Sequence, residues 1–530
     1  MTSAQHAYSG GGTQVTWLRL DAGKDSTVLA SGAVSYDSRP PGTQEGDAAF
    51  HYYLRWSWDG KALEIESVPW GFAPVFYAEQ RKSILVSTRI DEILAMLGSA
   101  TIDETAIAVF TRLGFFLDSD TPFKEVKALS GAGRLRWTPD TGVALPGERP
   151  KPARLDVTRE EAMREYAKLF RAAVRNRQSS RTKVVPLSGG RDSRHVVLEL
   201  CAQGTAPDYC ITAKHFPPKN NSDLEVALRV CAALGLRHVE IAQPRWRLQN
   251  DIAKNILTSY CSDEHTWALP LVNAIRGSAT EVWDGIGGDV LSAGLFLVEK
   301  TLTKYTNGDL VGVATDLLER WNKSESMITH LIKEDLRHRV GVGVARERII
   351  RELASHADCH NPLTSFYFWN RTRREIALYT FSMFEGIAQP VAPFLDDDLV
   401  PFLLALPAEH VIDHTFHTET ISAAYPRWSH IEYEHYDEGQ DARSYWRRFH
   451  LQLLGYCALR AGKSMLRPVP LARGLLREII APHESSWLSP IALQCFVQMI
   501  CASAKATSIA KARRRLSEKI PILGTDHHPA

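Results

Sequence analysis

Ser188, Gly189, Gly190, Arg191, Asp192 and Ser193 follow one another directly after an apolar, β-branched run, residues 182–187, which ends in Leu187. Adjacent glycines let the backbone approach an anion closely, and the unpaired N–H groups of a first helical turn point at such an ion. Beyond Asp192, Val196, Val197 and Leu200 recur at helical spacing, so the stretch reads as strand, tight turn and helix N-terminus. That is a phosphate cradle, with a carboxylate at Asp192 to hold a metal and a hydroxyl at Ser193 to bond phosphate oxygens. The alternative is an ordinary strand-to-helix turn, but Ser-Gly-Gly-x-Asp-Ser is far more restrictive than two glycines alone. It is not a Walker loop, which needs Gly-x4-Gly-Lys-Ser/Thr, and residues 455–464 miss that spacing with six intervening residues. A second glycine-rich turn, Asp284-Gly285-Ile286-Gly287-Gly288-Asp289, follows another strand-like run, residues 281–284. Two such turns at adjacent strand ends would bring Asp192 and Asp289 to one point. Two carboxylates with phosphate oxygens suit Mg²⁺; the alternative for Asp289 is a helix cap.

Strands at 182–187, 209–212, 238–242 and 281–284 alternate with helical patterns, including 223–234. This predicts an α/β domain with a parallel, doubly wound sheet, whose ligands bind beyond the carboxyl ends of the strands. Thr158 and Glu161 have capping-box spacing and open a helix to about Arg177. From Leu302 to about Arg477 the pattern is mostly helical. Residues 1 to about 145 read instead as a β-rich α+β domain. Its strands are expected at 14–20, 51–58, 63–68, 75–77 and 84–87, and its helices at 90–97 and 103–113. The predicted division is 1–150, 155–480 and a C-terminal helical extension with a frayed tail over 481–530, around a Pro-containing linker at 147–152.

The chain of 530 residues is long enough for two or three cores, and 44% hydrophobic with 23% charged residues is a globular composition. A net charge of +1 gives no pull towards nucleic acid. The first residues lack the basic and apolar regions of a signal peptide, and the apolar run 491–504 is broken by Gln494 and Gln498. All eight cysteines lie from Cys201 onward without Cys-x-x-Cys pairs, as free thiols in a reducing cytoplasm would.

Residues 188–193 resemble the pyrophosphate loop of ATP pyrophosphatases that cleave between the α and β phosphates. The closest likeness is to the asparagine synthetase superfamily, which includes β-lactam synthetases and lasso peptide cyclases. Residues 284–291 resemble its Ser-Gly-x-Gly-Gly-Asp-Glu-Leu-Phe segment, with Asp284 in place of serine and Val290 in place of glutamate. Pro393-Phe394-Leu395-Asp396 resembles its Pro-Phe-Leu-Asp signature, and residues 70–77, 87–90 and 121–123 resemble its N-terminal glutaminase domain. The resemblance implies an adenine nucleotide α-hydrolase-like fold preceded by an Ntn-type glutaminase-like domain, with ATP and Mg²⁺ as cofactors. It assigns nucleotide contacts to Leu187, Ser188, Gly189, Gly190, Asp192, Ser193, Ala213, Gly287 and Gly288, with Ala213 at the adenine pocket. Asp192 and Asp289 would hold the metal and serve catalysis. The family also carries a late, charge-neutralising lysine; Lys463 is the sole lysine between Lys333 and Lys505, with an exposed surface lysine as the alternative.

Several residues depart from the family. Its glutaminase uses an N-terminal cysteine, whereas here position 2 is Thr2 and the first 200 residues hold no cysteine, so the domain reads as degenerate. Gln389 stands where asparagine synthetases carry a glutamate, and a neutral amide is a poor general base. Glu385, one helical turn earlier, would substitute or be an ordinary helix residue. Tyr379 is the nearest tyrosine, with nothing to place it in a β-lactam synthetase type of Tyr–Glu pair. Asp263, Glu264 and His265 echo the family's acidic stretch or form a solvated helix start. His238 reads as structural. Arg371, Arg373 and Arg374 bind an anion or, as such runs usually do, form a solvated helix face. Leu187 to His195, with arginine after the glycines and after the serine, looks most like a lasso peptide cyclase, which joins a peptide's N-terminal amine to an Asp or Glu side chain. That implies a precursor peptide, a leader-peptide protease and a leader-binding protein of one antibiotic pathway, and no nucleic acid or membrane span. The rival readings are a small-molecule β-lactam or asparagine synthetase, and a non-catalytic scaffold that binds nucleotide or peptide.

Overall fold

The computed structural model describes residues 16–23, 27–39, 52–216, 220–276, 280–321, 325–434, 442–458 and 465–482. Thr2, Lys463 and nearly all of the expected C-terminal extension lie outside the described residues.

The N-terminal unit is built from two five-stranded antiparallel sheets. One runs β2 (Val28–Gly32), β1 (Trp17–Ala22), β7 (Ser83–Ser87), β6 (Phe76–Gln80), β8 (Lys127–Ala128). The other runs β10 (Gly142–Ala144), β9 (Arg134–Thr138), β5 (Leu63–Val68), β4 (Tyr53–Trp58), β3 (Ser35–Asp37). Alternation drives their core: Leu18 and Leu20, Leu54 and Trp56, Leu63 and Ile65, and Leu135 and Trp137 point inward while their neighbours are solvated. The helices α1 (Ile90–Leu97) and α2 (Glu104–Leu113) complete the unit. Beyond the five expected strands lie β2, β3, β8, β9 and β10, and four of these are the sheet edges.

After β10 the chain runs to α3 (Arg159–Arg175), opened by a capping box in which Thr158 and Glu161 bond each other's backbone N–H. A five-stranded, all-parallel sheet follows, in the order β13 (His238–Ile241), β12 (Tyr209–Ala213), β11 (Thr182–Pro186), β14 (Thr280–Trp283), β15 (Gln389–Val391). Val184 and Val185 are successive and both wholly buried, so β11 is covered on both faces. Helices α4 (Asp192–Ala202), α5 (Ser222–Leu234), α6 (Arg247–Leu257) and α7 (Leu269–Ile275) lie between the strands in sequence. The chain moves outward from β11 to β12 and β13, then returns to the other side of β11 as β14. The ends of β11 and β14 therefore flank the topological switch point, where such sheets bind ligands.

The run carrying Arg371, Arg373 and Arg374 is not a solvated helix face. Residues 368–376 and 378–383 are wound as π-helix, and all three arginines are buried. Arg373 donates to Leu129 O at 2.8 Å and Asp118 O at 3.0 Å, and Arg374 donates to Asp120 O at 2.6 Å. Asn370 Oδ1 accepts from Asp118 N at 2.8 Å. One side of the π-helix is thus clasped by the N-terminal unit, and the bidentate pair Arg112–Glu325 joins the two units again at α2. Tyr52 covers the edge strand β15, its hydroxyl bonding Ala392 O and its carbonyl receiving Gln389 Nε2 at 3.5 Å.

Arg373→Met should destabilise the protein by about 2–4 kcal/mol, because the carbonyls of Leu129, Asp118 and Trp369 lose this donor. Urea unfolding of the full chain measures this. A loss below about 0.5 kcal/mol would show that the clasp contributes little.

Candidate active site

Leu187 follows β11 and Ala213 ends β12, and Thr212 Oγ1 donates to Leu187 O at 2.6 Å, tying the two strand ends together. The turn that follows holds itself in shape. Ser188 N donates to Ser193 Oγ at 3.1 Å, Gly190 N to Ser188 Oγ at 3.2 Å, and Gly189 N to Asp223 Oδ1 at 2.8 Å. The glycines here provide room rather than donors: a Cβ on Gly189 would stand 2.7 Å from Glu434 Cβ and 3.2 Å from Asp223 Cα. The donors left to an anion are those of the first turn of α4, whose N-cap residue Arg191 gives no side-chain cap. Asp223, at the start of α5 and bonded to His215, fixes the turn from the neighbouring strand end.

The second turn lies directly against the first. A Cβ on Gly285 would come within 2.7 Å of Asp192 Cβ and 2.9 Å of Ser193 N, and one on Gly288 within 2.7 Å of Asp192 Cγ. Only glycine permits that approach. Gly287 lies between them at φ +95°, in the left-handed region that glycine adopts freely, and the short helix α8 (Gly288–Leu291) begins there. The structure thus brings Asp192 to the same edge of the sheet as Asp289, which opens α8.

Their electrostatics agree with the geometry. Burial, and then the charge of Asp192, push the Asp289 carboxyl up to about 6, with Arg371 opposing. Its side chain keeps 39% exposure and so faces the cleft, with Arg371 NH1 3.8 Å from Oδ2. Asp284 is pushed up to about 6 by burial, against hydrogen bonds from Ile286 N at 2.8 Å and Thr380 Oγ1 at 3.2 Å. Three carboxyls crowd one cleft. Among the described residues no group of three or more His, Cys, Asp or Glu is arranged to hold a metal. Mg²⁺ does not need one: it is held by one or two carboxylates, waters and substrate phosphates. The donor set of Asp192 and Asp289 fits that ion, whose charge would relieve the crowding.

The opposite wall is the π-helix and the loop before α7. Arg371 donates to Glu264 Oε1 at 3.2 Å and stands over the rings of Phe296 and Trp321. Burial acts upward on Glu264, but Arg371 and its other cationic neighbours bring its carboxyl below the usual range. Glu375 accepts from Asp263 N at 3.0 Å and Glu264 N at 3.2 Å, and burial raises its carboxyl well above the usual range. Asp263 is half-buried and its carboxyl is pushed up to about 7, mainly by desolvation, while Glu264 keeps an exposed side chain and His265 is buried just ahead of the helical turn Thr266–Ala268. His265 stacks on Tyr379 at 5.5 Å between ring centres, and Trp267 lies 5.7 Å from the same ring. The Tyr379 hydroxyl is buried without a hydrogen-bond partner among the described residues. Tyr379 and Glu375 are engaged separately and form no pair. Thr380 was missed because its position follows π-winding, which a period of 3.6 does not reveal, and Arg371, expected on an anion or on a solvated face, is held by Glu264 instead.

Glu385 does not enter the site: it lies in the turn after the π-helix, where its side chain bonds Tyr36 of the N-terminal unit. Gln389 lies on β15, turned to Tyr52. His238 Nε2 meets Thr212 Oγ1 at 2.9 Å, a structural role at the start of β13. Asp396 bonds Arg177 at 2.7 Å, so the Pro-Phe-Leu-Asp run is anchored away from the cleft by its acid, while Phe394 packs against Gly288.

The parallel sheet defines an α/β domain whose two glycine-rich turns, carrying Asp192 and Asp289, pack against each other beside its switch point. Residues 165–419 match the family described as asparagine synthase, a match that runs from α3 to the helix Phe416–Ala424 and includes both turns. It supports the asparagine synthetase superfamily for this part of the chain and, in general terms, ATP-dependent amide ligase activity. The comparison with curated proteins found no match. No helix among the described residues is long and apolar enough to cross a membrane.

The raised Asp263 carboxyl predicts a pH dependence. Its proton is bound more tightly folded than unfolded, so this group's stabilising contribution is full below about 4 and is lost as pH rises through about 7. Asp263→Asn should therefore gain stability relative to wild type, by more at pH 8 than at pH 5 and by an increment on the order of a few kcal/mol. Urea unfolding at both pH values reads the difference; a pH-independent gap would refute the assignment.

Proposed function

We propose that the protein is an ATP-dependent amide ligase that releases AMP and pyrophosphate and closes a macrolactam in a precursor peptide. It would join the peptide's N-terminal amine to an Asp or Glu side chain, as lasso peptide cyclases do. The observation that supports this best is the interlocking of the two glycine turns, in which Asp192 packs against Gly285 and Gly288 and its charge acts on Asp289. Leu187, Ala213, Gly287 and Gly288 would line the nucleotide site, and the first turn of α4 with Ser188 and Ser193 would hold phosphate oxygens. Asp192 and Asp289 would hold Mg²⁺, which supplies positive charge to the phosphates when bound.

This chain's own residues orient the reactants. Arg371 holds Glu264 at the wall of the cleft, Thr380 holds Asp284, and the Tyr379–His265 stack forms an apolar shelf beside Asp284. A cyclising reaction fits the amine supply, since residues 1–200 hold no cysteine to release ammonia from glutamine. We read the N-terminal unit as a glutaminase-like scaffold of Ntn type without its nucleophile. The partners would be the precursor peptide, a leader-peptide protease and a leader-binding protein, in the cytoplasm.

The test is incubation with ATP, Mg²⁺ and candidate precursor peptides. AMP, pyrophosphate and a peptide lighter by one water are expected; ADP and phosphate would reject the reading. Asp192→Asn and Asp289→Asn should each lower turnover by about a hundredfold or more, ~2.7 kcal/mol in barrier, with the fold retained. Full activity in either variant would remove it from the metal site.

A further inference from the structure

Beneath the two turns lies a buried polar network that the nucleotide reading does not use. His417, on the helix Phe416–Ala424, is wholly buried and presents Nδ1 to Asp192 Oδ1 at 3.4 Å. Its other nitrogen, Nε2, bonds His195 Nδ1 at 3.1 Å. His195 is wholly buried as well, stacked on Phe170 with ring centres 3.8 Å apart. Burial, and then His417, hold its pKa well below the usual range, so His195 is neutral. On the other side, Tyr166 donates to Ser292 Oγ at 3.0 Å, and Ser292 donates to Gly288 O at 2.7 Å. Tyr166 also reaches His195 Nδ1 at 3.5 Å. One network therefore touches the carboxylate of the first turn and the backbone of the second.

The protonation pattern follows from the partners. A bare His417 Nδ1 would set a lone pair against a carboxylate oxygen, so Nδ1 carries the hydrogen. His195 Nε2 lies among aromatic rings, where it has no hydrogen-bond partner among the described residues. His417 Nδ1 likewise has no hydrogen bond, since 3.4 Å exceeds normal hydrogen-bond length. Nδ1 faces Asp192 Oδ1 at that distance, with no nearer polar partner among the described residues. With Oδ1 turned inward between His417 and Gly288, Oδ2 is the oxygen left to the cleft.

We infer that His417, backed by His195, is a positioning residue that fixes the rotation of the Asp192 carboxylate so that Oδ2 meets the metal. This rests on the proposed Mg²⁺–nucleotide site. Outer partners of this kind change metal affinity by about 10- to 100-fold when removed.

The experiment compares wild type, His417→Leu, His417→Asn and His195→Phe as full chains. Each is unfolded thermally with a non-hydrolysable ATP analogue while Mg²⁺ is titrated, and the Mg²⁺ concentration giving half-maximal stabilisation is read. His417→Leu should raise that midpoint about tenfold. His417→Asn, whose amide N–H occupies the place of Nδ1–H, should restore it to within about threefold of wild type. His195→Phe should shift it in the same direction by less. Equal midpoints for wild type and His417→Leu would overturn the inference, as would an Asn variant no better than Leu, which would mark mere space-filling. Should the His417 variants not fold, an unchanged midpoint in His195→Phe would overturn it. Absence of any Mg²⁺-dependent stabilisation in wild type would instead overturn the nucleotide reading on which it rests.

Discussion

The site depends on one steric fact: two chain turns approach so closely that neither Gly285 nor Gly288 has space for a Cβ against Asp192. Close packing of backbone on backbone fixes the distance between the strand ends far more firmly than flexible side chains would. It also sets up an unfavourable electrostatic arrangement, since Asp192 adds to the burial that already disfavours ionisation of Asp289 and Asp284. Like charges in a cleft of reduced dielectric oppose each other strongly. Arg371 moderates the repulsion from one side only, at 3.8 Å from Asp289. A divalent cation between the acids would remove it, and this makes the arrangement more than a folding accident.

The π-helix ties this arrangement to the N-terminal unit. Asn370, Arg373 and Arg374 face that unit, while Arg371, Glu375, Tyr379 and Thr380 face the cleft. The wider winding spreads seven polar or aromatic side chains over two opposed faces without exposing any of them. The N-terminal unit thereby has a mechanical role: its carbonyls from Asp118, Asp120 and Leu129 hold the π-helix from behind.

What was legible in the sequence was whatever local rules dictate. The β-branched run, the glycines and the helical spacing announced β11, its turn and α4, and Thr158 with Glu161 announced the start of α3. Edge strands escaped, because β2 and β10 have little buried face to generate alternation and β8 is only two residues long. β15 escaped too, being three residues around a proline. β9 is different: Arg134-Leu135-Arg136-Trp137 alternates cleanly, and the signal was present. The arginine run misled because a charged helix face is normally solvated, whereas here tertiary carbonyls satisfy the guanidinium groups. His417 carries no local signature at all, and Asp223 shows only as a helix start; the packing of distant elements brings them to Asp192 and Gly189.

Gln389 becomes intelligible in the same terms. A glutamate at that position would serve to take a proton from an incoming ammonium, but β15 turns this side chain to Tyr52. A ring-closing enzyme of the proposed kind needs such a base less than an asparagine synthetase does. A peptide N-terminal amine titrates near 7.7–8.0, so a substantial fraction is already neutral at physiological pH. Held on the same molecule as the activated carboxyl, it gains effective molarities of about 10⁵–10⁸ M when well oriented. Orientation then replaces basicity, and the residues that matter become those that fix position: the glycines that let the turns meet, Asp223 behind the cradle, and His417 behind Asp192.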